Sequence, residues 1–200
     1  MDIASENFIV QETKKLKDLV QNGKISELEF LDSGEYLERL IDAGFPARYF
    51  YENQNTSDFK DIIEEAFKKY STIYFQFTSQ NEGLKVFTSI CKNVFKDERD
   101  CLFSFPENIC LKFEEFSEKK DRNGFVDYLT RPKVLFIPRF DTLFDFIEEN
   151  RGYEIISFYI RTILSNRYRS NSKITLLSGT FVKDRWFDQE VLENLIIAES

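Results

Sequence analysis

Four short apolar runs alternate with segments of helical periodicity along this chain, and that alternation constrains its fold more than any other feature. The run at 133–138, KVLFIP, is apolar along nearly its whole length, which is typical of a strand buried on both faces of a parallel sheet. Strands that alternate with helices predict an α/β fold, with helices covering both faces of a parallel sheet. The other three runs are TIYFQF (72–77), CLFSF (101–105) and KITLLSG (173–179).

The segments between the runs carry the helical signal. Residues 59–70 place apolar side chains at i, i+3, i+4, i+7, i+8 and i+11, which gives one apolar helix face. An acidic, amphipathic tail over 188–197 predicts a last helix. Further helices are predicted over 82–96, 108–119 and 141–169, with a turn at 120–124 and an interruption of the third helix near Arg151-Gly152.

The first 44 residues are polar and have helical spacing. Gly44-Phe45-Pro46 breaks the helix, so we expect a helical segment over 1–44 and an α/β core over 45–200. The segment carries an apolar stripe that needs either a partner protein or the core of its own chain to cover it. The stripe, our candidate for partner docking, consists of Phe8, Leu16, Leu19 and Val20.

Composition excludes several kinds of chemistry. The chain has no histidine, so Ser-His-Asp catalysis, Cys-His catalysis and histidine-ligated zinc are excluded. The cysteines Cys91, Cys101 and Cys110 match no CxxC pair, which favours free thiols in a reducing compartment. No segment resembles a signal peptide or a membrane span, so we expect a cytoplasmic protein that has no membrane partner.

The net charge of −8 makes the whole chain a poor general binder of nucleic acid. The charge is uneven, because residues 131–173 carry an excess of Lys and Arg. A basic cluster with interleaved tyrosines is a candidate for contact with single-stranded DNA or a partner; a solvated helix end is the alternative. The cluster consists of Arg161, Arg167, Arg169 and Lys173.

In parallel sheets ligands bind at the carboxyl ends of the strands. The segment after the first run, TSQNEGLK (78–85), has the position and rough length of a phosphate loop. It contains one glycine, Gly83, and lacks Gly-Lys-Ser/Thr, so Lys85 is expected to be a solvated helix residue. Pro138-Arg139 stands where an acidic pair would hold Mg²⁺, and Asp141 is expected to cap the next helix. Gly179 follows the last run, where a polar sensor would stand.

Four segments together resemble the ATPase domain of DnaC/DnaI/IstB-type AAA+ helicase loaders. LIDAGFPARYF (40–50) is similar to the entry of that domain, and residues 71–95, 129–144 and 153–181 resemble its Walker A, Walker B and sensor-1 segments. The resemblance implies a three-layer P-loop/AAA+-like core with a short helical N-terminal segment and little or no lid. It also implies degenerate motifs, because the Walker A lysine falls near Gly83, the Walker B acids at Pro138 and Arg139, and the sensor asparagine near Gly179.

From this resemblance we expect a catalytically inactive AAA+-like adaptor or regulator of DNA replication that needs no cofactor and no metal. Its expected partner is a protein: a replicative helicase, an active loader or an initiator, with weak binding of single-stranded DNA as a secondary candidate. Three alternatives stay open: a structural subunit, an atypical nucleotide-dependent loader, and an enzyme on a Rossmann-like sheet. The sequence does not specify the oligomeric state.

Overall fold

The computed structural model describes residues 36–46, 49, 54–69, 71–98, 100–149 and 154–199. The chain divides into two compact units, Met1–Tyr51 and Glu52–Ser200. The described helices are α1 (36–42), α2 (Lys60–Lys69), α3 (Gln80–Asp97), α4 (Pro106–Glu118), α5 (Arg122–Thr130), α6 (Phe140–Glu149), α7 (Glu154–Arg169) and α8 (Gln189–Leu192). The strands are β1 (Thr72–Gln76), β2 (Cys101–Phe103), β3 (Val134–Ile137), β4 (Ile174–Gly179) and β5 (Ile196–Glu199).

Helix α1 belongs to the first unit and ends where the sequence predicts. Gly44 has a φ of 85°, a left-handed conformation that glycine adopts without steric cost. The Gly44 amide donates to the carbonyl of Ile41, and the Phe45 amide donates to that of Leu40, at 2.9 Å each. This is the Schellman arrangement, which satisfies the last carbonyls of a helix.

The second unit contains a five-stranded, all-parallel sheet in the order β2-β3-β4-β1-β5. The four predicted strands are present, and β3 and β4 are buried along their whole length. In the register of the sheet Phe136 pairs with Leu176, and Gln76 pairs with Gly179. The carboxyl ends of β1, β3 and β4 therefore lie side by side.

Helices cover both faces of this sheet, so the predicted three-layer α/β fold is confirmed. On one face the Phe75 ring packs against Phe59, which precedes α2, and against Phe87 of α3, with centroids 5.4 and 5.8 Å apart. Tyr74, the preceding residue of β1, points to the opposite face because side chains alternate along a strand. There it joins a core cluster built from α4, α5, α6 and α7.

Two regions differ from the sequence prediction. The tail forms the four-residue helix α8 and then strand β5, instead of one helix over 188–197; Ile196 and Ile197 are β-branched and pair with β1. Helix α5 was not predicted at all. It begins at a cap, because Asp121 Oδ1 accepts a hydrogen bond of 2.9 Å from the Gly124 amide, so the expected turn covers only 119–121.

Candidate functional site at the carboxyl edge of the sheet

The carboxyl ends of β1, β3 and β4 border a shallow pocket with a volume of only about 10 Å³. That volume holds about one water molecule. The pocket lies where a nucleotide would bind in a parallel α/β fold, and it contains three of the five positions that the sequence singles out there. Its lining residues are Phe77, Ser79, Gln80, Gly83, Leu84, Arg139, Ser178 and Gly179.

The loop between β1 and α3 is short, and Phe77 fills the space beside it. Strand β1 ends at Gln76 and α3 begins at Gln80, so only residues 77–79 connect them. This corrects the expectation of a loop of phosphate-binding length, because Gly83 and Lys85 lie inside the helix. A Cβ at Gly83 would stand 2.5 Å from both Cβ and Cγ of Phe77. The glycine therefore makes room for an aromatic side chain and not for a phosphate.

Lys85 does not line this pocket. Its ammonium lies 3.4 Å from the carboxylate of Glu82 on the same helix, and its side chain is partly exposed. An exposed i, i+3 pair of this kind contributes little to stability. Glu82 is thus engaged by Lys85, and among the described residues it forms no ion pair with Arg139.

Pro138 and Arg139 form the turn between β3 and α6. Pro138 is buried, and Arg139 has a φ of 53°, which is uncommon for a residue with a side chain. The Thr142 hydroxyl donates to the Arg139 carbonyl at 2.6 Å and fixes this turn at the helix start. Arg139 Nε is buried and donates no hydrogen bond within the described part of the chain. A cation therefore follows β3 at this edge, where the resemblance to helicase loaders places the Walker B acids.

Gly179 lies beside a buried polar cluster. A Cβ at this position would stand 2.1 Å from the Tyr74 hydroxyl and 2.7 Å from the Asp141 carboxylate. Asp141 is fully buried, and its Oδ2 accepts hydrogen bonds of 2.7 Å from both the amide and the hydroxyl of Thr180. Asp141 is therefore not the cap of α6, as expected, but a first-turn residue that ties α6 to the segment after β4.

Tyr74 completes this cluster from β1. Its hydroxyl donates to the carbonyl of Phe181 at 2.5 Å. Burial, together with the nearby carboxylates of Asp141 and Asp145, raises the pKa of Tyr74 far above its ordinary value of 10. The hydroxyl therefore stays protonated and keeps donating. Hydrogen bonds within the chain thus connect the segment after β4 to β1 through Tyr74 and to α6 through Asp141.

The sequence did not single out Phe77, which lines this pocket, or Tyr74, which bonds to the segment after β4. One signal was available for Phe77. It ends an apolar run and is followed, six residues later, by the only glycine of the next helix. For Tyr74 no local signal existed, because its hydrogen-bond partner is more than a hundred residues away in the chain.

The predicted basic cluster does not form one surface. Arg167 is fully buried, contrary to the expectation that it belongs to an exposed group of cations. Burial lowers its pKa to about 9, so the guanidinium still carries its charge at neutral pH. The guanidinium donates hydrogen bonds of 2.5–3.2 Å to the carbonyls of Leu129, Thr130, Pro132, Lys133 and Ile174 and to the hydroxyl of Thr175.

The other members of the cluster bond to the chain itself. Arg169 is exposed and forms an ion pair of 2.7 Å with Glu190. Lys173 donates to the carbonyl of Arg131, and Arg161 Nε lies 3.4 Å from the carbonyl of Ser157. The proposed docking stripe, Phe8, Leu16, Leu19 and Val20, lies outside the described residues.

No model of a known protein family matches this chain, and no curated protein matches it either. Solved structures do. A DNA replication initiation factor aligns with a TM-score of 0.57 at 15% identity, over 77% of this chain and 50% of that one. DnaA from Aquifex aeolicus bound to AMPPCP aligns with a TM-score of 0.53 at 14% identity, over 70% of this chain and 44% of that one.

The replication initiator DnaA bound to AMPPCP and single-stranded DNA aligns with a TM-score of 0.55 at 14% identity, over 75% of this chain and 47% of that one. Over the aligned residues the chain has a fold similar to that of these solved structures. It spans about half the length of the structures that it matches. At this identity the likeness concerns the fold, and the narrower resemblance to helicase loaders stays a prediction.

Within the part of the chain that the structure describes, no helix has both the length and the apolar character needed to cross a membrane. No group of three or more Asp, Glu or Cys side chains is placed to hold a metal ion there.

Proposed function

We propose that this chain is a catalytically inactive AAA+-like protein that regulates DNA replication by binding another protein. The observation that supports this most strongly is the closed carboxyl edge of the sheet. Sites for small molecules typically have volumes of about 300–1,000 Å³, whereas the pocket at this edge has a volume of about 10 Å³. A nucleoside triphosphate could enter only if Phe77 left its position against Gly83.

The charges at this edge support the same proposal. Phosphoryl transfer depends on a lysine at the phosphates and on Mg²⁺ held by carboxylates. Lys85 is paired with Glu82 away from the pocket, and Arg139 stands after β3 in place of an acid. Among the described residues Asp141 is the one buried carboxylate close by, and it accepts hydrogen bonds from Thr180 and Thr142.

The replication context rests on the fold and on the resemblance. The matched structures are described as a replication initiation factor and as the replication initiator DnaA. The resemblance to helicase loaders points to the same process, with a helicase, a loader or an initiator as partner. We favour a protein partner over DNA, because Arg167 is interior and Arg169 is paired with an acid. Docking through residues 1–44 remains part of this proposal.

The test combines nucleotide binding with partner binding. A ligand present at a hundred times its Kd stabilises the native state by about 2.7 kcal/mol, which raises the Tm of a chain of this size by about 5–10 °C. We expect no such shift with millimolar ATP and Mg²⁺, and no magnesium-dependent ATP turnover. We expect the full chain to retain the purified replicative helicase, loader or initiator of its source cell in a pull-down.

Two results would overturn the proposal. A saturable rise in Tm with ATP would show that the edge opens to nucleotide. Failure to retain any of the three replication proteins would remove the replication role and leave the structural-subunit alternative. Deleting residues 1–22 then tests docking: a core that keeps its Tm but loses its partner supports the N-terminal segment as the contact.

A further inference from the structure

Helices α4 and α6 leave a concave groove between them, distant in sequence from the loop that closes the nucleotide edge. Its volume is about 490 Å³, which is within the range of functional binding sites. The lining combines apolar side chains with carboxylates and includes no lysine or arginine. Its residues are Pro106, Glu107, Cys110, Leu111, Glu114, Thr142, Asp145, Phe146 and Glu149.

The groove contains two of the large apolar side chains that are exposed in this structure. Leu111 of α4 is 62% exposed and Phe146 of α6 is 41% exposed. Single exposed apolar residues are ordinary on protein surfaces, but two that line one concave site mark a candidate interaction surface. The buried Cys110 and Pro106 extend the apolar part of this lining.

Four carboxylates surround that apolar surface: Glu107 and Glu114 on α4, and Asp145 and Glu149 on α6. Asp145 is paired with Lys183, whose ammonium lies 3.6 Å away. Glu107 and Glu149, one on each helix, give the groove an acidic lining, which favours a cationic ligand and disfavours DNA or a nucleotide.

We propose that this groove binds a basic amphipathic helix of a partner protein. The inference rests on the proposed function, since it specifies a second surface of the protein contact, on the α/β core and in addition to residues 1–44. Two helices form the walls of the groove, and the space between two helices accepts a third by the packing of side-chain ridges into grooves. Leucine-like residues at i, i+3 and i+4 would cover Leu111 and Phe146, and flanking Lys or Arg would face Glu107 and Glu149.

The experiment uses a defined probe on the full chain. The probe is a fluorescein-labelled helical peptide with leucines along one face and lysines on both flanks, and its binding is measured by fluorescence anisotropy at two salt concentrations. The matched control peptide carries glutamate in place of each lysine. We expect saturable binding of the lysine peptide, weaker at the higher salt concentration, and no binding of the glutamate peptide.

Variants then locate the binding. Replacing Glu107 and Glu149 together by Lys should weaken the binding of the lysine peptide by about tenfold or more. The matched control is Asp127→Lys with Glu193→Lys, two exposed carboxylates outside the groove, which changes the net charge equally and should weaken binding less than about twofold.

An apolar pair of variants gives an independent readout if the charge reversal disturbs folding. Leu111→Ala should weaken the binding of the lysine peptide by about fivefold. Ile197 is a similarly exposed side chain on β5, and Ile197→Ala should leave binding unchanged.

Equal weakening by the groove and control reversals would reduce the effect to general charge attraction and overturn the inference. Two other results would also overturn it. One is that the wild type does not bind the lysine peptide; the other is that a single-stranded oligonucleotide displaces the peptide and no longer binds to Leu111→Ala. None of these peptide-binding results depends on nucleotide. They therefore test only the binding of a helix in the groove, whereas a rise in Tm with ATP would contradict only the proposed function.

Discussion

Replacing Arg167 by Met tests whether this buried guanidinium holds the fold together. The substitution keeps an unbranched, helix-compatible side chain of similar length and removes five N–H donors. In the wild type these donors reach five carbonyls and one hydroxyl at 2.5–3.2 Å. The acceptors come from the end of α5, from the segment before β3 and from the start of β4, so one side chain connects three elements.

The expected loss can be estimated from those bonds. A buried acceptor left without a partner costs about 1–3 kcal/mol, although water and small backbone shifts will satisfy some of the six. Breaking a buried charged network generally costs about 3–5 kcal/mol. We therefore expect Arg167→Met to lower the free energy of unfolding by about 4 kcal/mol, which lowers the Tm by about 8–16 °C for a chain of this size.

Arg169→Met is the matched control. It makes the same substitution two residues further along α7, at an exposed ion pair with Glu190. Exposed pairs contribute about 0–1 kcal/mol, so its urea midpoint should stay close to that of the wild type. Urea unfolding followed by circular dichroism measures both variants. If Arg167→Met were as stable as Arg169→Met within about 1 kcal/mol, the network would not have the structural role that we assign to it.

Burial of Arg167 also changes how a DNA-binding test must be designed. A double variant with Glu at Arg167 and Arg169 would place a carboxylate among backbone carbonyls, and its loss of DNA binding would report unfolding. Replacing Arg161, Arg169 and Lys173 instead changes only side chains that are not fully buried. Unchanged binding of single-stranded DNA by that triple variant would exclude this surface as the DNA site.

Three further predictions concern the closed edge and the acid stability of the chain. Phe77→Ala should lower the free energy of unfolding by about 3 kcal/mol, because it empties a packed site, without a rise in Tm with ATP; a urea midpoint near wild type would contradict this. Tyr74→Phe should cost about 1–2 kcal/mol in thermal melts, because it orphans the Phe181 carbonyl, and an unchanged Tm would refute that reasoning. Two lysines lower the pKa of Glu115 to about 2, so its stabilising effect is complete above its ordinary pKa of 4.5 and is lost as the pH falls towards 2. The Tm difference between wild type and Glu115→Gln should therefore shrink over that pH range, and a constant difference would contradict the prediction.

Local pattern was enough to predict most of the sheet. The four apolar runs are strands because both faces of the sheet are covered, and a doubly covered strand leaves a continuous apolar signature. Strand β5, which pairs with β1, escaped prediction because the apolar residues of 188–197 also fit one face of a helix. Only the pairing with β1, which is distant in sequence, decides between the two.

The sequence predicts where the candidate site lies but not which side chains fill it. The sequence points to this edge and predicts that Pro138, Arg139 and Gly179 stand where a nucleotide site would have other side chains. It does not show what replaces those side chains, because a phenylalanine at the end of an apolar run fits an ordinary strand residue. Phe77 closes the edge only because α3 begins at Gln80 and brings Gly83 against the ring. The start of a helix is among the least certain features of a sequence.

The burial of Arg167 is a second feature that the sequence does not predict. A cation in the last turn of a helix is normally solvated, where it interacts favourably with the helix dipole. Here the end of α7 lies over the starts of β3 and β4, whose first carbonyls converge on the guanidinium. That convergence depends on the packing of elements that are separate in sequence, and no local pattern encodes it.

These two clusters stabilise opposite ends of the same strands. The Arg167 network connects the amino ends of β3 and β4, while Tyr74, Asp141 and Thr180 connect the carboxyl ends of β1 and β4 with the start of α6. Hydrogen bonds within the chain therefore hold both ends of β4, and the Phe77 ring fills the space beside its carboxyl end.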